Sequence, residues 1–564
     1  MNDSDKGKRG SLIRVSKDRS LAVRSSALAR RGLESLSTLD RVLSFPSDIS
    51  VGDAFLFDRG TDAAAWLHDL PRYHRMRPIR PPVEIIENVR GDLRVPSGKY
   101  VALATDSFKL PQVLALAPEC LDGLFLNLFR TDFDGDLSIL NRFVKLKYLG
   151  LFDCATNPRL SSLSNVKSLT HLLLSGSASM VTDLGLSYLA NLKSLTHLDL
   201  SDARVNGTGF SYLSDLNSLS YIDLGPSYVN DEGLACLAGF TELSHLKLGN
   251  YQDTNPGVTD SGLSHLSDLH QLAYLDLSAL EITDFGLAHL SNLTALSYLD
   301  LGGTEVTDKG LSNLSKLASL SHLNLSGTKV TGVGLSHLSN LTQLTTLDLG
   351  ALYITDEGLS HLPNLKALSN LDLQLAHISD FGLSHLSNLD GLSDLSLWGT
   401  KVTGHGLTYL SSLASLSKLE LGTSTITDEG LAAIADLASL TDLGLYATKI
   451  TDAGLFYLAD APSLKRLDLR NTAISGKGFA HLSSLQNLDL SLSEVSDEVL
   501  SNLSSIRSLS TLQLDESNIT NEGLSHLSNL KLLKELFFSD VELSDSDTEN
   551  LRASLPNCEI DFFY

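Results

Sequence analysis

A Leu-x-Leu pair recurs along most of this chain, and its spacing constrains the fold more than any other feature. Its first leucine falls at residues 275, 299, 323, 347, 371, 395, 419, 443 and 467, an unbroken step of 24. Upstream the series runs less evenly through Leu246, Ile222, Leu198, Leu172, Leu149 and Leu124; downstream it continues through Leu488, Leu512 and Leu536 to a degenerate copy at Ile560. Nineteen copies are counted from Leu124 to Ile560. One unit of this length cannot bury its own apolar face, so the units must stack into an array with a shared core.

Each part of the unit has a physical assignment. Leu-x-x-Leu-x-Leu alternates at period two around its end, which predicts a short strand with one buried face. A Gly/Ser-x-Thr turn follows, with Thr304, Thr328, Thr400, Thr448 and Thr472 at one offset, where a hydroxyl can bond backbone groups. Thr-Asp-x-Gly-Leu, as at Thr355 to Leu359, begins with an N-cap residue and places acids at the positive end of a helix. The leucines after it, at spacing three and four, form one apolar stripe.

Composition narrows the functional classes. The 564 residues are 42% apolar but only 6% aromatic, so the core is aliphatic. Residues 1–94 hold 17 Lys/Arg and 13 Asp/Glu, a net of +4; residues 95–564 hold 26 and 54, a net of −28. An array so acidic is poorly suited to nucleic acid or anionic lipid, which need Lys and Arg opposite phosphate. Cys120, Cys154, Cys236 and Cys558 lack the spacing of a disulfide framework or zinc site. No run approaches the roughly 18 apolar residues of a membrane span, and the first residues lack a secretory apolar stretch. A soluble, cytoplasmic chain without cofactor is expected.

The unit resembles the leucine-rich repeat. ITDEGLSHL and VTDKGLSNL are similar to the 24-residue variety of F-box-associated, cysteine-containing repeat proteins and their bacterial relatives, and LPNCEIDFF (555–563) resembles the terminal cap of bacterial members. The resemblance implies an α/β solenoid: curved, with a parallel β-sheet on the concave face, short helices on the convex face, and a small N-terminal region. It also implies protein binding. The expected organisation is a disordered basic tail at 1–24, a helical or mixed cap or docking region at 25–95, and the solenoid at 96–564 with a C-terminal cap at 540–564.

On such a fold the residues flanking and between the strand leucines face outward. Before the first leucine come His171, His197, Tyr221, His245, Tyr274, Tyr298 and His322; between the leucines lie Asp199, Asp223, Lys247, Asp276 and Asp300. Neighbouring strands lie about 4.8 Å apart, so an imidazole–phenol row would run beside a carboxylate row. Tyr and His would give flat contact area, and the carboxylates would accept from Arg or Lys. Further along, Trp398, Tyr446, Arg466 and Arg470 are candidate contacts. The five-residue insertion within 249–260 is a candidate rim loop. A second histidine row, including His265, His289 and His337, falls on the helical side and reads as decoration.

No catalytic motif is present: no phosphate-cradling glycine loop, no His-Glu-x-x-His, no Gly-x-Ser-x-Gly. The expected function is a non-catalytic protein-interaction scaffold, a monomer binding a protein partner with a basic patch. Two alternatives stand beside it. One is the substrate receptor of an SCF-like ubiquitin ligase, although Leu70-Pro71 is followed by Arg-Tyr-His rather than by the acid and apolar residues of an F-box. The other is a regulated enzyme with activity in the N-terminal region. Leu28, Leu36, Leu39 and Leu43 at helical spacing, a strand within 49–57, and a helix from Thr61 through Trp66 are expected there.

Overall fold

Period-two alternation forms strands of three residues, such as Tyr298–Asp300 and Lys418–Glu420, whose central leucines are fully buried. The computed structural model describes residues 41–44, 53–58, 84–86, 92–95, 99–106 and 121–563, without 128–136, 153–154, 177–178, 227, 250–256, 436, 494, 515–518 and 540–544. The insertion at 249–260 and the expected helix from Thr61 thus lie largely or wholly outside the described residues.

The chain divides into two units, Met1–Leu275 and Asp276–Tyr564. In the first, parallel pairing runs in register from Leu103 opposite Leu124, through Leu149, Leu172 and Leu198, to Ile222 opposite Leu246. The ladder therefore begins one strand before the first copy counted in the sequence, at Lys99–Asp106, which lacks a second strand leucine. On its other side Asp53–Asp58 pairs antiparallel, and Glu84–Ile86 pairs antiparallel to that strand. These strands occupy the backbone edge that the first parallel strand would otherwise expose. The expected strand near 49–57 is thus present, shifted by a few residues. Leu43, placed by its spacing on a helix, instead lies in Arg41–Ser44 opposite Leu93. Residues 25–40 lie outside the described set.

In the second unit the same register runs from Leu299 opposite Leu323 to Leu536 opposite Ile560. Ile560, in the degenerate copy, is 3% exposed. It fills the same inward position as the leucines before it.

The other side of the repeats carries short helical segments, for example Asp428–Leu431 alone, or Asp308–Leu311 running on into the 3-10 turn Ser312–Lys316. Thr307 caps Asp308–Leu311, its hydroxyl accepting from the Lys309 N–H at 3.3 Å. The acid that follows the cap reaches further than the sequence suggests. Asp284 Oδ1 accepts from the Thr307 N–H at 2.8 Å, and its Oδ2 accepts from the Thr307 hydroxyl at 2.7 Å. Asp308 holds Thr331 in the same way, Asp356 holds Ser379, and Asp380 holds Thr403. Thr-Asp-x-Gly is therefore an inter-repeat clamp as well as a helix start. Its glycine is required because a Cβ at Gly310 would collide with the Asp284 carboxylate.

Threonines 304, 328, 400 and 448 donate their hydroxyls to the carbonyls of Leu301, Leu325, Leu397 and Leu445 at 2.7–2.8 Å. The residue before each threonine in these turns is left-handed: Gly303 at φ 70°, Gly327 at 66° and Gly399 at 70°. Ala351 occupies the same position at φ 57° and is exposed. A side chain costs about 1–2 kcal/mol in this region. Ala351→Gly is accordingly expected to stabilise by about 0.5–1 kcal/mol, net of the added chain entropy. A urea titration checks it, and an unchanged or lower midpoint contradicts it. Among the described residues no helix is long and apolar enough to cross a membrane.

Candidate functional site

Parallel, in-register pairing places the residue before each strand leucine directly beside its counterpart in the next repeat. In the first unit this aligns Tyr148, His171, His197, Tyr221 and His245. Their rings stack in sequence. Centroids are 4.5 Å apart for Tyr148–His171, 4.0 Å for His171–His197, 5.3 Å for His197–Tyr221, 5.7 Å for Tyr221–His245 and 5.7 Å for His245–Tyr274. Interplanar angles stay between 15° and 33°. The rings turn their faces largely toward one another, so outward contact is made mainly by their edges rather than by the flat area that composition suggested.

A hydroxyl before each imidazole fixes its orientation. Thr170, Thr196 and Ser244 each lie 2.8 Å from Nδ1 of the following histidine. The same hydroxyls donate to carbonyls of the preceding repeat at 3.0–3.1 Å. A hydroxyl has one proton, so with that proton on the carbonyl the imidazole must donate from Nδ1, which puts the neutral ring's lone pair on Nε2. Burial, then the neighbouring His197 and Lys147, hold His171 down at about 3. It is neutral throughout the physiological range.

The carboxylate row beside it serves the fold. Asp199, Asp223 and Asp300 are 4%, 2% and 7% exposed. Asp199 Oδ1 accepts from the Ser201 N–H at 2.8 Å, Asp223 from Gly225 at 3.1 Å, Asp276 from Ser278 at 2.9 Å and Asp300 from Gly302 at 2.8 Å. These local bonds close the turn after the strand. Burial raises the Asp300 carboxyl despite the opposing Gly302 hydrogen bond. Asp223 also meets Lys247 Nζ at 3.3 Å, and that ammonium lies 6.0 Å from the Tyr274 ring centre.

In the second unit Tyr298 and His322 stack at 5.9 Å, with Ser321 fixing the imidazole as above. The aromatic row then ends, as Thr346, Asn370, Asp394, Lys418, Asp442 and Arg466 occupy the position. Here the sheet face carries a cavity of about 460 Å³ lined by Lys418, Glu420, Asp442, Gly444, Arg466, Asp468 and Asp489, among others. Gly444 occupies the column that holds Glu420 before it and Asp468 after it. The Glu420 carboxylate lies over Gly444, in the space that a Cβ there would need.

The cations around this cavity are paired. Lys418 lies 3.5 Å from Asp394 and 3.8 Å from Glu420, and Arg466 pairs with Asp442. Arg470 donates from Nε and Nη2 to Asp468 at 3.0 and 2.6 Å, and its Nε is 3.4 Å from Asp489. Burial pushes the Glu420 and Asp489 carboxyls up. Beside the cavity the Trp398 indole lies across Gly422, where an added Cβ would meet its Nε1 at 2.8 Å. Arg470 sits over the Tyr446 ring at 5.3 Å.

The structure thus gathers His197, Tyr221, His245 and Tyr274 into one row, extended by His171 and Tyr148, and places Tyr298 with His322. Of the later candidates Arg466 lines the cavity, while Arg470 stands over Tyr446 and Trp398 lies against Gly422, outside that lining. Sequence reasoning missed Gly444 and Gly422, although each is legible as a gap in a column of larger residues. It also missed Glu420, Asp468 and Asp489 as cavity walls. Among the described residues no group of three or more His, Cys, Asp or Glu is placed to hold a metal ion.

Short strands alternating with short helical segments, stacked in register, define a repeat protein of the α/β class. Residues 256–479 match the model of the leucine-rich repeat region family, and residues 191–214 match that of the leucine-rich repeat. The residues so matched are leucine-rich repeats, and the in-register ladder carries the same fold on either side of them. No curated protein matches it. Among solved structures it is similar to an internalin from Listeria monocytogenes, at 28% identity over 55% of this chain and 83% of that one, TM-score 0.44. It is also similar to a leucine-rich repeat protein of Leptospira interrogans, at 20% identity over 81% and 100%, TM-score 0.46. A third likeness is to the leucine-rich repeat ectodomain of the Arabidopsis receptor kinase HAESA in complex with a peptide hormone ligand, at 20% identity over 71% and 72%, TM-score 0.45.

Proposed function

We propose that the protein is a non-catalytic interaction module that holds a polypeptide partner against the exposed face of its parallel sheet. The observation that carries this reading is the stacked row from Tyr148 to Tyr274, ordered before any partner arrives. Rings already held by neighbours and by hydroxyl bonds lose little further rotamer freedom on binding, which leaves more of the contact energy for affinity. The acidic balance of residues 95–564, 26 basic against 54 acidic, favours a partner with a basic patch.

The test uses the full chain as bait and measures the affinity of whatever partner it retains. A combined Tyr221→Ala, His245→Ala and Tyr274→Ala variant is expected to raise Kd at least about thirtyfold, the scale of a lost contact cluster of about 2 kcal/mol. His265→Ala, exposed on the helical side, is expected to bind normally. Rising salt should weaken the wild-type complex. Equal losses in the two variants, or none in either, would refute the assignment.

A further inference from the structure

The helical side of the second unit carries a row of side chains that the aspartate clamps leave standing. The residue after each clamp position is Phe285, Lys309, Val333, Glu357 and Phe381 in five successive repeats. All five are exposed, Phe285 to 80%, Val333 to 72% and Phe381 to 63%. Successive helix starts pack at one step: a Cβ at Gly310 would meet Asp284, at Gly334 Asp308, at Gly358 Gly332 and at Gly382 Asp356. The five side chains therefore form a single ridge. Small residues flank it, since a glycine follows each ridge residue and an alanine or serine stands three positions on, from Ala288 to Ser384.

An apolar row this exposed marks an interaction surface, and the order of its charges says with what. Along the array the ridge runs apolar, basic, apolar, acidic, apolar. A two-fold axis through Val333 sets Val333 against itself, Lys309 against Glu357 of the partner subunit and Phe285 against Phe381 of the partner subunit, the last two contacts each occurring twice. Other centres fail. An axis on Lys309 or Glu357 faces like charges, and one on Phe381 puts Val333 against Glu429. Neither Lys309 nor Glu357 has an ion partner among the described residues, so neither must give one up. The axis also falls at Gly332, so Val333 is not preceded by the carboxylate that precedes its four companions. Residues 95–564 hold 26 basic and 54 acidic residues, so two arrays repel, and contact is confined to a strip whose own charges balance.

We propose that this ridge is the contact face of a homodimer, in which two copies of the chain lie antiparallel with Val333 on the two-fold axis. The Phe285 and Phe381 rings supply most of the buried area, and Lys309 with Glu357 fixes the register. An interface of this size sits at the small end of the stable range, with a Kd on the order of 10 μM. The assignment does not rest on the aromatic row of the sheet face, so the Tyr221, His245 and Tyr274 variant leaves it intact. Either proposal can fail without the other.

Sedimentation velocity of the full chain, in a concentration series up to about 200 μM, reads the dimer. Val333→Asp places two carboxylates face to face on the axis and should raise the dimer Kd at least about a hundredfold. Lys309→Glu alone faces acid with acid, and Glu357→Lys alone faces base with base; each should raise Kd at least about tenfold. An equal mixture of those two variants should dimerise within about twofold of wild type, because each chain then meets its complement in the other. All three positions are exposed, and thermal melts confirm that each variant is folded. Wild-type protein that stays monomeric throughout the series, as the sequence suggested, overturns the proposal. So does a dimer that Val333→Asp leaves unchanged, since the contact then lies elsewhere. A mixture that dimerises no better than either charge variant alone overturns the two-fold register and with it the proposal.

Discussion

Leu299→Asp is expected to destabilise the second unit by about 4 kcal/mol or more, enough to remove its cooperative unfolding transition. Leu299 is fully buried at the centre of the strand Tyr298–Asp300, opposite Leu323. A carboxylate there would be surrounded by leucines, with no Lys or Arg among the described buried residues, and neutralising it would still leave a buried polar group and a gap in packing. Because stability in a stacked array is a sum over neighbouring interfaces, the loss should spread to the next copy. Hydrogen exchange should show the amides of His322–Asn324 losing protection together with those of Tyr298–Asp300. Thermal unfolding indistinguishable from wild type would overturn the register.

Gly430→Ala is the second large effect, although it adds a single methyl group. Most repeats join through the aspartate clamp, but Gly207, Gly332, Gly404 and Gly476 stand where that aspartate would be, and the first three face a glycine of the next repeat. At those three points glycine backbones approach directly. A Cβ on Gly430 would meet Gly404 Cα at 2.6 Å and its N at 3.3 Å, against backbone that cannot rotate away. The expected cost is about 1–3 kcal/mol, the range for forcing extra volume into a packed site. The matched control is Gly239→Ala, where nothing lies within 4 Å of the added carbon; its effect should stay within about 0.5 kcal/mol. Equal melting temperatures for the two variants would contradict the close-approach explanation.

Two kinds of join between repeats bear on engineering the array. The clamp joins a carboxylate to the next threonine's N–H and hydroxyl, as Asp284 does with Thr307, and a side chain can give slightly when a neighbour changes. Direct glycine–glycine approach has no such compliance. Substitutions near Gly207, Gly332 and Gly404 should therefore be tolerated less well than equivalent ones near Asp284, Asp308 or Asp356.

The sequence by itself determined the repeat, its period, the inward leucines and the helix caps. These follow from local periodicity: alternation at period two selects a strand, leucines at three and four select a helical face, and Thr before Asp satisfies free N–H groups. The outward columns were legible for the same reason, because a constant period makes residues 24 apart spatial neighbours. The sequence did not determine how those columns behave. The Tyr–His row stacks face to face, and the Asp row turns back onto its own N–H groups, as Asp300 does with Gly302. Only the spacing of paired strands, together with the bonds available at each turn, decides between outward contact and internal use.

The same limit explains the cavity and the first strand. Gly444 is an ordinary glycine in the sequence, and only the pairing of strands shows that it makes room for the Glu420 carboxylate of the neighbouring repeat. Lys99–Asp106 has no repeat signature, yet it pairs with Gly123–Asn127 because an open parallel edge accepts any strand with unpaired backbone groups. Local pattern fixes what each segment can form. Which side chains spend their hydrogen bonds inward, and where a missing one leaves space, is settled only when the strands stand side by side.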